Sequence, residues 1–147
     1  LQMLRRIWEE RDVVIVEGNQ SRTGVGNDLY DNAKSLQRIL GYPTNGFSHY
    51  DDMLKAITTH VDPKDDKLIL LSYGPTATIL AYDLAKLGYQ AVDIGHLDIE
   101  YEWYQRGDMN GGVVKGKYTN EAMGGNNVEE CTDEKYLSQI ICDITKN

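Results

Sequence analysis

The chain has 147 residues, 41% hydrophobic and 26% charged, the composition of a globular domain with one core. Its formal net charge of −8 excludes nucleic acid and anionic membrane surfaces as general partners. No apolar run approaches the roughly 18 residues that span a bilayer.

In chain order, Leu1, Leu4 and Trp8 recur at helical spacing and predict an amphipathic helix over residues 1–11. "DVVIVEG" follows, a β-branched run apolar on both faces, as a buried parallel strand requires. "NDLYDNAKSLQRILG" places Leu29, Ala33, Leu36 and Leu40 on one stripe and predicts a second helix, capped by Asn27 or Asp28 and ended by Gly41. "NGFSHY" is read as a short strand. "DDMLKAITTHV" is read as a helix with Leu54, Ile57 and Val61 inward. "KLILLSYG" is the clearest strand, and "PTATILAYDLAKLG" returns to helix with Leu80, Leu84 and Leu87 inward. "YQAVDIG" is a third strand. Residues 107–128, rich in Gly and Asn, form a long excursion. "TDEKYLSQIICDITK" closes the chain as a helix capped by Thr132, with Leu137, Ile140, Ile141 and Ile144 inward. Cys131 and Cys142 lack metal-ligand spacing and read as free thiols in a reducing compartment.

Strand–helix alternation with two-sided apolar strands implies a parallel sheet flanked by helices, an α/β Rossmann-like domain over residues 1–147. In such sheets ligands bind beyond the carboxyl ends of the strands. Three segments leave those ends. In "EGNQSRTGVGNDL", residues 17–29, glycines and asparagines precede a helix start, so backbone amides and the Arg22 guanidinium would face an anion. Gly24-x-Gly26 lacks the third glycine of the dinucleotide fingerprint, and no Gly-Lys-Ser/Thr makes it a P-loop. In "SYGPTAT", residues 72–78, small residues at a strand-to-helix corner allow close approach of a flat ring, or simply start a helix.

The third segment, "DIGHLDIEYEW", crowds Asp93, Asp98, Glu100 and Glu102 around His96. On a helix, residues two apart point about 200° apart and cannot share a ligand. In an extended or turning backbone, Asp98 and Glu100 fall on one side, about 7 Å apart, and make a hard-oxygen site for Mg²⁺ or Mn²⁺. The same acids also suit a solvated face with Leu97, Ile99 and Tyr101 packed behind it. A cation held by acids, opposite a phosphate held by amides, is how an acidic protein binds a diphosphate.

"VVIVEGNQSRTGVGNDLYDNAKSLQRIL", "LSYGPTATILAYDLAKLGYQAVDIGHLDIEYEW" and "KGKYTNEAMGG" resemble the glycosyltransferases of the GT-D fold, a bacterial family first described as a domain of unknown function. The resemblance covers essentially the whole chain. It implies a Rossmann-like fold and metal-dependent transfer from a nucleotide sugar, typically UDP-glucose, through an Asp-x-Glu motif. Here that motif is Asp98-Ile99-Glu100, so Asp98 and Glu100 are the expected catalytic and Mn²⁺ or Mg²⁺ ligands. The nucleotide cleft would be lined by Glu17, Gly18, Ser21, Arg22, Gly24, Gly26, Asn27 and Asp28, with Gly74, Pro75 and Thr76 across from them. Lys115 and Lys117 would approach the diphosphate, and Glu102 or His96 would serve as base toward the acceptor. The implied partners are a UDP-sugar donor and a glycoprotein or glycan acceptor, in the bacterial cytoplasm. The resemblance also implies a further segment upstream of what is here Leu1, so this chain would correspond to the C-terminal portion of the domain. A metal-dependent nucleotide phosphohydrolase and a non-catalytic nucleotide-sugar-binding module are the alternatives.

Overall fold

The computed structural model describes residues 2–107, 111–114, 116–118 and 128–146. Within them five parallel strands build one sheet: β1 (Asp12–Gly18), β2 (Ser35–Gly41), β3 (Lys67–Ser72), β4 (Gln90–Asp93) and β5 (Ile140–Asp143), in the order β4-β3-β1-β2-β5. β1 is central. It pairs with β2 from Asp12↔Ser35 to Gly18↔Gly41 and with β3 from Asp12↔Lys67 to Glu17↔Ser72. Four helices accompany the sheet: α1 (Tyr50–His60), α2 (Thr76–Lys86), α3 (Leu97–Arg106) and α4 (Glu134–Gln139).

The two-residue period of a strand sorts β1 and β3 into two cores. Val14, Val16, Ile69 and Leu71 pack with Met53 and Ile57 of α1 and Leu80 and Leu84 of α2. Val13, Ile15, Leu68 and Leu70 face the other way, onto Trp8, Leu29, Tyr30, Leu97 and Tyr101. A sheet covered on both faces explains the unbroken apolar run of "DVVIVEG", and the expected α/β parallel-sheet architecture holds.

Four local expectations need correction. Among the described residues 2–11 the one helical element is a 3-10 turn at Leu4–Ile7, and Leu4 is exposed. Trp8 anchors the segment, fully buried with its indole donating to the Leu29 carbonyl at 3.0 Å, and Arg5 adds bonds to the Leu29 and Asp28 carbonyls. The helix expected over residues 27–41 does not form. Residues 27–34 make turns, and Ser35–Gly41 is β2, hydrogen-bonded along the whole length of β1. Its apolar stripe fitted both periods, and the open edge of β1 decided between them. "NGFSHY" is a 3-10 turn at Gly46–His49, with no strand. The closing helix stops at Gln139, after which Ile140–Asp143 pairs with β2 as β5. Its cap is Asp133, which accepts the Tyr136 amide at 2.9 Å, and not Thr132. Leu137, expected inward, is 47% exposed. The β-branched "IICDI" suits a strand better than a helix, and the free edge of β2 takes it up.

Candidate functional site

β1 and β3 are neighbours, yet the chain leaving β1 goes to β2 on one side and the chain leaving β3 goes to β4 on the other. Diverging loops open a crevice at the carboxyl ends of adjacent strands. A cavity of about 540 Å³ lies there. Gly18 and Ser21 border it after β1, Tyr42 to Phe47 after β2, Ser72 to Thr76 after β3, and Asp93, Gly95, His96 and Asp98 after β4. Its size is that of a small-molecule site.

The expected cleft residues separate into groups. Gly18, Ser21, Gly74, Pro75 and Thr76 line the cavity. Glu17 does not. It is fully buried, where its carboxylate accepts the Thr23 amide at 2.7 Å and pairs with Arg38 at 2.6 Å. Arg22 is also turned away: it is 7% exposed and donates from Nη1 to the Gly116 carbonyl at 2.8 Å. Gly24, Gly26 and Asn27 border a second recess of about 430 Å³ on a different side of the same loop, together with Tyr30, Arg38 and Tyr136. The need for glycine at 24 is steric. Its φ is +80°, and a Cβ there would lie 2.4 Å from the Tyr30 ring. Asp28 sits outside the cavity, its carboxylate accepting the Tyr101 hydroxyl at 2.5 Å. That bond lowers its pKa from the ordinary value, assisted by the charge of Arg5.

The acidic stretch departs furthest from expectation. Residues 97–106 are helical, so the extended backbone expected at Asp98 and Glu100 is corrected. Asp98 is 4% exposed and points into the protein, whereas Glu100 is exposed. The residue sharing the face of Asp98 is Glu102, one turn on. Asp98 Oδ1 accepts the Gly24 amide at 2.8 Å and the Asn27 side-chain amide at 2.9 Å. Lys117 Nζ lies 3.0 and 2.8 Å from the two Asp98 oxygens and 3.4 Å from Glu102 Oε1. Asn27 also donates to Glu102 at 2.7 Å.

The positive charge that reconciles these acids is thus an ammonium from the chain itself. Lys117, expected at the diphosphate, is 4% exposed and ties residues 116–118 to α3 and the glycine loop. Arg22 to Gly116 and the Tyr118 amide to the Gln20 carbonyl, 2.8 Å each, complete that attachment. Asp98 and Glu100 do not fit a shared divalent cation in this geometry. Among the described residues no cluster of three or more His, Cys, Asp or Glu gathers as a metal site. Lys115 lies outside the described residues.

Sequence reasoning missed the loop after β2. Tyr42, Asn45, Gly46 and Phe47 form one wall of the cavity, and Asp93 and Gly95 another. Asp93 was legible near the end of the strand "YQAVDIG", at the side of the sheet where ligands bind. The β2 loop was hidden because β2 itself was read as helix.

Residues 1–122 match the family described as Glycosyltransferase GT-D fold. A "Probable glycosyl transferase Gly" of Streptococcus gordonii is 41% identical over 97% of this chain, and "Glycosyltransferase GlyD" of Streptococcus pneumoniae 42% over 96%. The chain spans 20% and 17% of their lengths. A solved structure of a new glycosyltransferase from Streptococcus sanguinis superposes with a TM-score of 0.88 at 41% identity, covering 97% of this chain and 52% of that one.

Proposed function

Since this chain belongs to the glycosyltransferase GT-D fold family, we propose that its cavity holds a nucleotide-sugar donor whose sugar passes to an acceptor hydroxyl. The observation supporting this is the place of the cavity: it opens at the crevice between the diverging loops of β1 and β3, beside the first turn of α2. The finer reading is a UDP-sugar, glucose above all, transferred to a glycoprotein or surface glycan in the cytoplasm. Among the described residues no helix is long and apolar enough to cross a membrane.

In the transfer, the bond from the anomeric carbon to the diphosphate oxygen breaks and a bond to the acceptor oxygen forms. The acceptor proton must leave, and negative charge grows on the departing nucleotide. Groups that meet this charge lower the barrier. The 11-residue helix α2 begins at the Gly74-Pro75-Thr76 corner on the cavity wall, so the positive end of its dipole is a seat for a phosphate. Ser21 on the facing loop adds a hydroxyl. His96, bordering the cavity at the start of α3, takes the base role, since Glu102 is not among the residues that border it.

Dependence on Mn²⁺ or Mg²⁺ stays part of the proposal through the family resemblance. The role of Asp98 here is to hold the glycine loop in the shape that borders the cavity.

The test is donor turnover by the intact protein, assayed with UDP-glucose and an acceptor glycan, with and without EDTA. A bulky Pro75→Trp at the α2 corner should abolish transfer while leaving the circular dichroism unchanged. Transfer that persists in a folded Pro75→Trp protein places the donor elsewhere. Phosphate release without any acceptor replaces transfer by hydrolysis.

A further inference from the structure

The cavity is long enough to cross the ends of four strands, and its two ends differ in chemistry. At the β2 end stands Phe47, a ring that is 62% exposed although it belongs to the cavity wall. Its support is firm. The neighbouring Gly46 lies so close to Tyr73 that a Cβ there would be 2.8 Å from the ring. Tyr42 and His49, on either side of Phe47 in the chain, stack at 3.8 Å with an interplanar angle of 17°. The backbone of Asn45 is left-handed, φ +54°, and turns the loop over the cavity. An aromatic ring kept exposed on a braced loop suits a flat heteroaromatic partner, since stacking serves any base.

At the β4 end the wall carries Asp93 and His96 instead. The Asp93 carboxylate is oriented by two donors, the Gly95 amide to Oδ1 at 2.9 Å and the Thr78 hydroxyl to Oδ2 at 3.1 Å. A carboxylate has about four acceptor positions, so an oriented one retains capacity for sugar hydroxyls. Between the two ends lies the α2 corner, where the helix N-terminus is the place for the anionic linkage.

We infer that the donor lies across the sheet in one direction, with its nucleobase stacked on Phe47 and its sugar hydroxyls bonded to Asp93. This rests on the donor-site reading above and makes Phe47 and Asp93 specificity-determining residues for opposite ends of one ligand. A bare nucleotide shares the base end but lacks the sugar, so the two contacts separate.

The test is titration calorimetry on the intact protein with UDP, GDP and UDP-glucose, using wild type, Phe47→Ala, Phe47→Tyr and Asp93→Asn. Phe47→Ala should weaken UDP and UDP-glucose alike, on the order of tenfold, and Phe47→Tyr should restore both. Asp93→Asn should weaken UDP-glucose on the order of tenfold and leave UDP unchanged. Unaltered binding in folded Phe47→Ala, or equal weakening of UDP and UDP-glucose by Asp93→Asn, overturns the orientation. Absence of binding of all three probes to the wild type removes the donor site itself, a separate failure.

Discussion

Replacing Lys117 by Met leaves a stem of similar length and removes only the ammonium. Nζ sits 2.8 Å from Asp98 Oδ2, with side-chain exposures of 3% and 4%. At that distance and an effective dielectric of about 20, the attraction is about 6 kcal/mol before desolvation is counted. Removing one partner of such a pair costs about 3–5 kcal/mol, because the other charge stays buried. The Gly24 and Asn27 donors still serve Asp98, so the lower end, about 3 kcal/mol, is expected. That is a large fraction of the stability of a domain this size. Urea unfolding of Lys117→Met, followed by circular dichroism, measures the loss. The double variant Lys117→Met with Asp98→Asn removes both charges and should be more stable than Lys117→Met alone. A loss under about 1 kcal/mol in the single variant, or a double variant that simply sums the two losses, refutes the view of Lys117 as the counter-ion.

Gly24→Ala meets both a positive φ and the Tyr30 ring, and should cost about 1–3 kcal/mol in the same urea assay. Tyr101→Phe should raise the Asp28 pKa back toward the ordinary carboxyl value, read by NMR titration of that carboxyl. Because the folded pKa is the depressed one, the hydrogen bond stabilises the protein above the ordinary value of 3.8, and its contribution is lost as pH falls through the lowered value. The stability gap between wild type and Tyr101→Phe should therefore close on acidification. Arg38→Met strands the fully buried Glu17 carboxylate and should destabilise by about 3–5 kcal/mol by denaturant titration, whereas exposed Glu100→Gln should stay within about 0.5 kcal/mol of wild type.

Much of the site's framework was readable before its chemistry. The cleft corner at Gly74-Pro75-Thr76 followed from a strand, a proline and a helix in immediate succession, signals that are local. Arg22, Glu17 and Lys117 were visible as charges, but their partners lie up to 94 residues away, at Gly116, Arg38 and Asp98. A charge read alone looks available to a ligand. Only its surroundings show that it is already engaged.

The amino-acid order by itself determined the parallel sheet, because Val13 to Val16 and Leu68 to Leu71 are apolar on both faces and can lie only between two layers. It likewise located α1 and α2 through apolar spacing and end signals, although Leu87, expected inward on α2, is 52% exposed just past its end. Tertiary structure decided the rest. The stripe of 27–41 satisfied two periods, and pairing with β1 selected the strand. Asp98 and Glu100 satisfied two geometries, and the helix of α3 directed one carboxylate inward to Lys117 and the other to water. Local pattern sets what a segment can become. The hydrogen-bonding edge or buried charge it meets, distant in sequence, sets which of those it is.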